Sequence, residues 1–398
     1  MPADVRCWKH IEQTACLIFE RFGFSEVRLP VLEPASLFVR SIGEETDIVS
    51  KEMYRFEDQG GDDICLRPEG TAGAVRAWLQ AGLSRSGVQR WYYAGPMFRR
   101  ERPQKGRLRQ FQQIGVEMFA TPGPAADADL VFMAQQLLDD LCAGQVHLEI
   151  NSLGCPVCRP DYREQLVDYL RTKTGVLCQT CNDRIRKNPM RVLDCKVETC
   201  QQALVEAPGI LSHLCRECDA HFTGLKEGLE ALSVQYRVNP RIVRGLDYYN
   251  RTAFEFITDQ LGAQGTVLAG GRYDGLVEAL GGPRTPAIGF ALGLERLALL
   301  LPAVESNRPD IAIVALGDSV TAYALNVAAK LRQAGCAVIH CGGGSAKRQF
   351  KAADREGVGF VVVIGEDEMR AGLLTLKNMQ TGEQQETSLD AAASLVLR

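Results

Sequence analysis

The sequence has no long hydrophobic run. No stretch of the 398-residue chain approaches the roughly 18 consecutive apolar residues that a membrane-spanning helix needs. Its opening residues, MPADVRCWKH, lack the apolar core of a secretory signal peptide. These absences argue against a membrane protein and predict a cytoplasmic one, in which most of the 14 cysteines are reduced thiols unless some bind metal.

The chain also lacks an excess of positive charge. It has 45 Lys and Arg against 49 Asp and Glu, a formal net charge of −4 at pH 7. A generally basic surface for nucleic acid is therefore excluded, and any contact with a polyanion must come from local patches. Two nucleotide signatures are missing as well, because neither GGRYDG nor CGGGSAKR fits the P-loop or the Rossmann glycine pattern.

What is present is enough chain for two or three domains with cores of their own. Helix and strand patterns occupy the first part, a polar helical segment with eight of the cysteines follows, and strand patterns then return. A linker, ESNRPD, precedes an α/β module of about 90 residues, a size that folds alone. The predicted domains are a split first domain (1–152 and 236–304), a helical insertion (153–235) and a C-terminal domain (310–398).

Positive charge is concentrated in the segment RRERPQKGRLRQFQQIGVE (99–117), whose first eleven residues hold six Lys or Arg. The flanking patterns predict two strands joined by this basic loop. Arg244 in VRGLDYYNR and Arg296 in GLERL add separated arginines. Because a planar guanidinium grips phosphate oxygens, the arginines predict a polyphosphate clamp. The alternative is a solvated hairpin tip.

A second set of residues carries acids, amides and hydroxyl groups. Glu69 and Thr71 occur in LRPEGT, Gln113 and Glu117 in QQIGVE, and two tyrosines in LDYYN. Such groups can hold a small cationic or hydrogen-bonding ligand.

Several long motifs carry a family resemblance. FRRERPQKGRLRQFQQ resembles motif 2 of the class II aminoacyl-tRNA synthetases, PAIGFALGLERL resembles motif 3, and RLPVLEP resembles motif 1. IVRGLDYYNRT and AGGRYDGLVEALGG are similar to the histidine-specific signatures of the histidyl-tRNA synthetase family, and the resemblance covers nearly the whole chain. It implies an α+β catalytic domain with an antiparallel sheet flanked by helices, a helical insertion, a C-terminal α/β anticodon-binding domain, and a homodimer formed across motif 1.

The resemblance also implies an activity: ATP-dependent ligation of L-histidine to tRNA(His) through a histidyl-adenylate, with Mg²⁺. The family's catalytic arginines match Arg99, Arg244 and Arg296. The ATP-binding positions match Arg99 at the α-phosphate, Arg107 and Arg296 at the γ-phosphate, and Phe111 on the adenine. The histidine-binding positions match Glu69, Thr71, Arg99, Gln113, Glu117, Arg244, Tyr248, Tyr249 and Tyr273, with Gly270 and Gly271 as the pocket floor.

The cysteines of the insertion depart from the family pattern, since many members have ordinary residues there and no metal. Three C-x₂-C pairs and two single cysteines are available: Cys155, Cys158, Cys178, Cys181, Cys195, Cys200, Cys215 and Cys218. Paired C-x₂-C units are typical of structural zinc sites. The alternative is a set of reduced, buried thiols.

The main functional alternative is a non-catalytic relative, the histidine-sensing regulatory subunit of ATP phosphoribosyltransferase. Such proteins share the catalytic fold, generally lack the anticodon-binding domain and have degraded arginine motifs. This chain retains Arg99, Arg107, Arg244 and Arg296, and its C-terminal module is complete. The sequence therefore favours the enzyme.

Overall fold

The computed structural model describes residues 2–43, 46–104, 106–302 and 308–397. The chain divides into two compact units, Met1–Val304 and Glu305–Arg398. Lys105 in the basic loop and the first three residues of the predicted linker, 305–307, lie outside the described residues. Among the described helices, none combines the length and apolar character needed to cross a membrane.

The first unit combines a large sheet with helices. Its α-helices are α1 (Pro2–Arg21), α2 (Ala35–Ile42), α3 (Thr71–Gln80), α4 (Pro124–Asp140), α5 (Arg159–Arg171), α6 (Gln179–Lys187), α7 (Glu198–Ala203), α8 (Arg216–Ala231), α9 (Leu276–Ala279) and α10 (Leu294–Ala298). Its strands are β1 (Ser25–Glu26), β2 (Leu32–Pro34), β3 (Tyr54–Glu57), β4 (Asp63–Leu66), β5 (Gln89–Phe98), β6 (Gln110–Phe119), β7 (His147–Ser152), β8 (Tyr236–Val238), β9 (Asn250–Ile257), β10 (Thr266–Arg272) and β11 (Ala287–Gly293).

Eight strands form the main sheet, in the order β1-β5-β6-β11-β10-β9-β7-β8. Its central pairs are antiparallel, and the two edge pairs, β1 with β5 and β7 with β8, are parallel. The register of β5 and β6 runs from Gln89 opposite Phe119 to Phe98 opposite Gln110, so residues 99–109 connect the two strand ends. The prediction of two strands joined by a basic loop is confirmed.

The two faces of the sheet have different environments because successive side chains of a strand point to opposite sides. In β6, Ile114, Val116 and Met118 join a large apolar core with residues of α1, α4 and α8. The alternating positions Phe111 and Phe119 contact a second core that includes Trp78 of α3 and Tyr273. Gln113 and Glu117 share that second face, which is where polar side chains collect.

Residues 25–34 do not form one continuous strand. The segment SEVRLPVLEP forms only β1 and β2, and β2 belongs to a separate three-stranded sheet of order β2-β4-β3. Pro30 has no N–H to donate to a ladder, and Arg67 Nη1 donates to the carbonyls of Leu29 at 2.8 Å and Pro30 at 3.3 Å. The middle of the segment is therefore bound by a side chain, and backbone hydrogen bonds flank it, from the Val27 N–H to the Tyr92 carbonyl at 2.8 Å and from the Arg67 N–H to the Val31 carbonyl at 3.0 Å.

The helical segment after β7 has two parts. Helices α5, α6 and α7 enclose a small core of their own, with Tyr162, Leu166 and Leu170 buried. Helix α8 instead packs along α4 and contributes Phe222 and Leu225 to the large core. Among the residues that the structure describes, the small core is thus supplied by α5–α7 and adjoining turns, and α8 closes the segment against the main sheet.

A buried ionic cluster fixes α4 and α8 to the sheet. Asp127 of α4 accepts hydrogen bonds from Arg272 of β10 and from Thr252 of β9, and its Oδ2 lies 2.8 Å from His221 Nε2 of α8. Arg272 also donates to the carbonyl of Thr121 at 2.9 Å. The Asp127 and Arg272 side chains are fully buried, so each charge depends on the other for compensation.

The second unit is an α/β module, as predicted. It contains β12 (Ile311–Ala315), α11 (Thr321–Gln333), β13 (Val338–His340), α12 (Ala346–Glu356), β14 (Phe360–Ile364), α13 (Glu366–Ala371), β15 (Leu374–Asn378), β16 (Gln384–Thr387) and α14 (Leu389–Val396). The strand order is β13-β12-β14-β15-β16. The sequence patterns missed α13 and β16, because EDEMRA and QQET are short, polar and largely exposed.

Candidate active site

A cavity of about 270 Å³ lies on the polar face of the main sheet. Its lining includes ten residues that the sequence singled out: Glu69, Thr71, Arg99, Arg107, Phe111, Gln113, Arg244, Tyr248, Tyr249 and Arg296. They come from the β4–α3 connection, the β5–β6 hairpin, the segment before β9, and α10. Segments far apart in sequence therefore converge on one concave surface, as ligand sites usually require.

The basic loop contributes two arginines held by defined partners. Arg99 Nε donates to the Pro68 carbonyl at 2.9 Å, and its guanidinium carbon lies 5.3 Å from the centre of the Phe111 ring. Arg107 Nη1 lies 2.7 Å from Glu101 Oε2. Both guanidinium groups are held in place before any ligand binds. The loss of side-chain conformational entropy on ligand binding is therefore smaller.

Arg244 and Arg296 bring positive charge from outside the loop. Arg244 Nη1 donates to Glu255 Oε1 at 2.7 Å, and its guanidinium carbon lies 5.0 Å from the centre of the Tyr249 ring. Arg296 Nη1 donates to the Thr266 carbonyl at 2.7 Å. Burial, followed by the charge of Arg107, lowers the pKa of Arg296. The like charges are thus close enough to repel one another, which favours binding of an anion between them.

A buried carboxyl lies beneath the opposite end of the cavity. Glu117 is 1% exposed and accepts hydrogen bonds from Thr71 Oγ1 at 2.7 Å, Tyr93 Oη at 3.0 Å and Tyr273 Oη. Burial raises the pKa of Glu117 to about 8, against an ordinary value of 4.5. This carboxyl therefore binds a proton near neutral pH, and a ligand cation would favour its ionised form.

Glu69 is the second acid in this region. Its carboxylate accepts the backbone N–H groups of Thr71 at 2.6 Å and Ala72 at 2.9 Å, at the N-terminus of α3. Burial raises the pKa of Glu69 as well. Two buried acids near one another give this end of the cavity a preference for a cationic ligand.

Three polar atoms of the lining lack hydrogen-bond partners. Gln113 Oε1, Tyr248 Oη and Arg244 Nε are buried and unpaired among the described residues. Buried polar atoms are nearly always hydrogen-bonded, and exceptions are often completed by a ligand or water. Their clustering in one cavity indicates that a polar ligand supplies the missing partners.

Four predicted site residues lie behind the cavity wall. Glu117 and Tyr273 meet through the hydrogen bond described above. A Cβ on Gly271 would lie 2.9 Å from Tyr249 Cδ1, and one on Gly270 would lie 2.6 Å from Phe254 Cζ. The two glycines thus allow the aromatic side chains to approach β10 closely.

The structure also reveals residues that sequence reasoning missed. Tyr93 is 1% exposed and donates to Glu117. A Cβ on Gly289 would overlap the Glu117 carboxylate. Glu255 pairs with Arg244. The alternation of β5, β9 and β11 could have placed these residues on a common face, but no local signal identifies which face carries the cavity.

Comparison with known proteins agrees with this geometry. The family model described as histidyl-tRNA synthetase matches residues 1–297, and the anticodon binding domain model matches residues 310–398. The chain is 50% identical over 401 residues to the histidine--tRNA ligase of Anaeromyxobacter dehalogenans, covering 100% of this chain and 97% of that protein. The corresponding protein of Acetivibrio thermocellus is 47% identical over 401 residues, covering 99% and 96%.

Solved structures show the same relationship. The apo histidyl-tRNA synthetase of S. aureus superposes with a TM-score of 0.81 at 34% identity, covering 100% of this chain and 97% of that one. The histidyl-tRNA synthetase of Nostoc sp. PCC 7120 superposes with a TM-score of 0.70 at 22% identity, covering 100% and 96%, which supports the fold alone. Together with the arginine-lined cavity and its buried acids, these matches establish that the chain belongs to the histidyl-tRNA synthetase family.

Proposed function

We propose that this chain ligates L-histidine to tRNA(His) in two steps. The histidine carboxylate attacks the α-phosphorus of ATP and pyrophosphate leaves; a ribose hydroxyl at the tRNA 3′ end then attacks the acyl carbon and AMP leaves. The observation that carries the proposal is the convergence of four arginines on a cavity whose other end is acidic. This arrangement suits a polyphosphate bound beside an amino acid.

Arg99 and Arg244 are proposed to act at the reacting phosphate. Both reactants are anions, so the groups that bring them together must offset charge that spreads over the phosphoryl oxygens. Arg244 has a buried Nε to which no described residue is hydrogen-bonded, and Arg99 is anchored at Pro68 through its own Nε. The reaction needs positioning and charge neutralisation and forms no covalent bond to the protein.

The remaining ATP contacts are assigned to the rest of the clamp. Arg107 and Arg296 are proposed to bind the γ-phosphate end, and Phe111 to stack on the adenine. These three residues line the same cavity. Aromatic faces stack on any base, whereas the fixed guanidinium groups set the position of the phosphates.

The acidic end of the cavity is proposed to bind histidine. Gln113 and Tyr248 offer unpaired polar atoms to the imidazole or the α-ammonium group. Glu69 and Thr71 are proposed to contact the same groups, and Glu117 to act through its hydrogen bond with Thr71. A cation bound here lowers the pKa of Glu117 from about 8, so we expect histidine binding near neutral pH to release a proton.

Mg²⁺ is the expected metal partner of ATP. The carboxylates of Glu101 and Glu295 belong to the lining of the same cavity, where Glu101 Oε2 pairs with Arg107 Nη1 at 2.7 Å and Glu295 Oε1 accepts the Gln112 N–H at 2.8 Å. Carboxylates together with phosphate oxygens are the ligands that Mg²⁺ prefers, so these residues fit the ion and would hold it. When bound, it would neutralise phosphate charge. Zinc, the other metal predicted from the sequence, is proposed for the cysteines.

Partners and location are proposed from the family and from exposed surfaces. The C-terminal module matches an anticodon-binding domain, so we propose that it binds the anticodon stem of the tRNA. We also propose a cytoplasmic homodimer formed through motif 1. The small sheet that contains motif 1 leaves Leu32 at 50% and Phe56 at 45% exposure, which is apolar surface that a second copy could cover.

Aminoacylation of a tRNA(His) transcript by the full-length chain tests the proposed function. We expect labelled histidine to become attached to the tRNA in a reaction that requires ATP and Mg²⁺. Failure of a folded chain to charge the tRNA, or charging with a different amino acid, would refute it. The regulatory-subunit alternative is not favoured, because full-length relatives at 47–50% identity are histidine--tRNA ligases.

A further inference from the structure

The fold gathers the eight cysteines of the helical segment into two groups of four. The first tetrad is Cys155, Cys158, Cys215 and Cys218, and the second tetrad is Cys178, Cys181, Cys195 and Cys200. Within each tetrad the sulfur atoms all lie within 4.8 Å of one another. The first tetrad joins residues 60 positions apart in sequence, so the grouping is a property of the fold that local spacing does not determine.

The sulfur positions match tetrahedral metal coordination. Four thiolates at the usual Zn–S distance of about 2.3 Å lie roughly 3.8 Å from each other. Cys155 Sγ lies 3.7 Å from Cys158 Sγ and 3.9 Å from Cys215 Sγ, and Cys178 Sγ lies 3.9 Å from Cys195 Sγ. All eight cysteines are free thiols in this structure.

Backbone hydrogen bonds stabilise both tetrads. The N–H of Cys215 donates to Cys158 Sγ at 3.1 Å, and the N–H of Cys178 donates to Cys200 Sγ at 3.1 Å. Cys158 and Cys200 are both buried. A backbone N–H directed at a sulfur orients that sulfur, as hydrogen bonds to the ligands of a metal site commonly do.

We propose that each tetrad binds one Zn²⁺ ion as a tetrathiolate site, so that the chain carries two zinc ions. Each site forms when four thiols release four protons and the resulting thiolates coordinate the metal. Four soft sulfur ligands in tetrahedral positions select zinc or iron over magnesium. A closed set of four ligands leaves no position for a substrate, so both sites are structural.

The first tetrad has a direct connection to the proposed histidine pocket, and this part of the inference depends on the proposed function. The tetrad connects the start of α5 to the start of α8. Arg159, the residue after Cys158, donates Nε to the Leu153 carbonyl at 3.1 Å and Nη2 to the carbonyl of Tyr249. Tyr249 lines the cavity. The first zinc site therefore positions Arg159, and through it the backbone of the pocket wall.

The second tetrad lies within the small core of α5–α7. Cys181 and Cys200 are buried there beside residues such as Leu177 and Ile185. The described residues give it a weaker link to the cavity wall, since Arg191, four positions before Cys195, donates Nη1 to the Arg244 carbonyl at 3.3 Å and is not adjacent to a cysteine of the tetrad. We therefore expect the second zinc site to stabilise the helical segment and to have little effect on histidine affinity.

Metal analysis of the purified full-length chain tests the two sites. We expect two zinc ions per chain after removal of loosely bound metal, one in Cys155→Ser and one in Cys195→Ser. Cys142→Ser is the matched control, since Cys142 is exposed and outside both tetrads, and it should retain two. Less than one zinc per folded chain, iron in place of zinc, or two zinc ions in both tetrad variants would overturn the proposal.

A second measurement uses only the wild-type chain, so its result does not depend on whether the tetrad variants fold. Titrating the wild-type chain with a mercurial thiol reagent, in the presence of a zinc-sensitive dye, should release two zinc ions per chain. Release of none would contradict the proposal even if every tetrad variant failed to fold.

Histidine binding distinguishes the role of the first tetrad. Equilibrium dialysis should show roughly tenfold weaker histidine binding for Cys155→Ser, because small displacements of a binding wall are costly, and a change below twofold for Cys195→Ser. Equal effects of the two variants would refute the connection through Arg159. If the wild-type chain binds no histidine, the proposed function fails, while the zinc count remains a valid test of the sites.

Discussion

Substitution of Arg244 by glutamine tests the proposed polyphosphate clamp at an arginine that is held by an ion pair and a ring contact. Arg244 Nη1 is paired with Glu255 at 2.7 Å, its guanidinium carbon lies 5.0 Å from the Tyr249 ring centre, and its Nε has no hydrogen-bond partner in the described part of the chain. The unpaired donor is the group available to the α-phosphoryl oxygens. Glutamine removes the positive charge and keeps a polar side chain of shorter reach.

The expected loss follows from two independent magnitudes. Removing one preorganised donor from a developing oxyanion costs about 10²–10³ in rate, and removing an arginine from a transferring phosphoryl group costs about 10³–10⁵. We expect adenylate formation by Arg244→Gln to fall by about 10³, or about 4 kcal/mol of transition-state stabilisation. Histidine affinity should change less than tenfold, because Gln113, Tyr248 and the buried acids remain.

The effect of breaking the ion pair between Arg244 and Glu255 on stability has to be distinguished from the loss of catalytic rate. Glu255 would be left without its arginine in a site where both side chains are 15–17% exposed, so stability should fall by about 1–3 kcal/mol. The double variant with Glu255→Gln removes the uncompensated charge and should recover stability without recovering the rate. Arg355→Gln, at a 77% exposed position, is the arginine control.

Pre-steady-state formation of histidyl-adenylate is the assay, with unfolding measured in parallel. A rate for Arg244→Gln within tenfold of wild type would refute the assigned role. Recovery of the rate in the double variant would show that the loss came from destabilisation by Glu255, and it would refute the reasoning equally.

Other outcomes follow from the same structure. The pKa of Glu117 is raised from 4.5 to about 8, so the folded chain binds this proton more tightly than the unfolded chain does. The resulting stabilisation is fully present below about pH 4.5 and is lost as the pH rises through about 8. Chemical denaturation across this range should show a weaker pH dependence for Glu117→Gln, and an unchanged profile would contradict the assignment. Asp127→Ala leaves the fully buried Arg272 without its main partner and should lower the free energy of unfolding by about 3–5 kcal/mol in calorimetry; a loss below about 1 kcal/mol would count against the ionic cluster. Gly289→Ala places a methyl group against the Glu117 carboxylate and should raise KM for histidine, whereas Gly275→Ala, whose Cβ meets no atom within 4 Å, should not. Deleting residues from 308 onward removes the described part of the second compact unit and should preserve adenylate formation but weaken tRNA charging; unchanged charging would refute the domain's role.

The fold could be predicted wherever a local pattern had one structural solution. The alternation in β5 and β6 gave two strands with the basic loop between them, and their register bears this out. The C-terminal module was recognisable from its helix and strand periods. The segment around Pro30 was not, because the hydrogen bonds from Arg67 that hold it come from a distant strand end.

The site could be predicted as a set of residues but not as an arrangement. Motif positions identified Arg99, Gln113 and Arg244, and the cavity brings them together. The contacts that fix them, such as Glu255 with Arg244, join residues that no sequence period relates. The cysteine tetrads illustrate the same limit, since three C-x₂-C pairs do not say which pairs meet. Contacts of this kind form only when segments that are distant in sequence pack against one another in the folded chain.

Histidine-dependent exchange of labelled pyrophosphate into ATP tests the central claim most directly, because it requires ATP bound by the arginines to react with histidine bound at the acidic end of the cavity. We expect exchange with the full-length chain in the presence of Mg²⁺ and L-histidine, and none when another amino acid replaces histidine. A folded chain that binds histidine yet catalyses no exchange would contradict it.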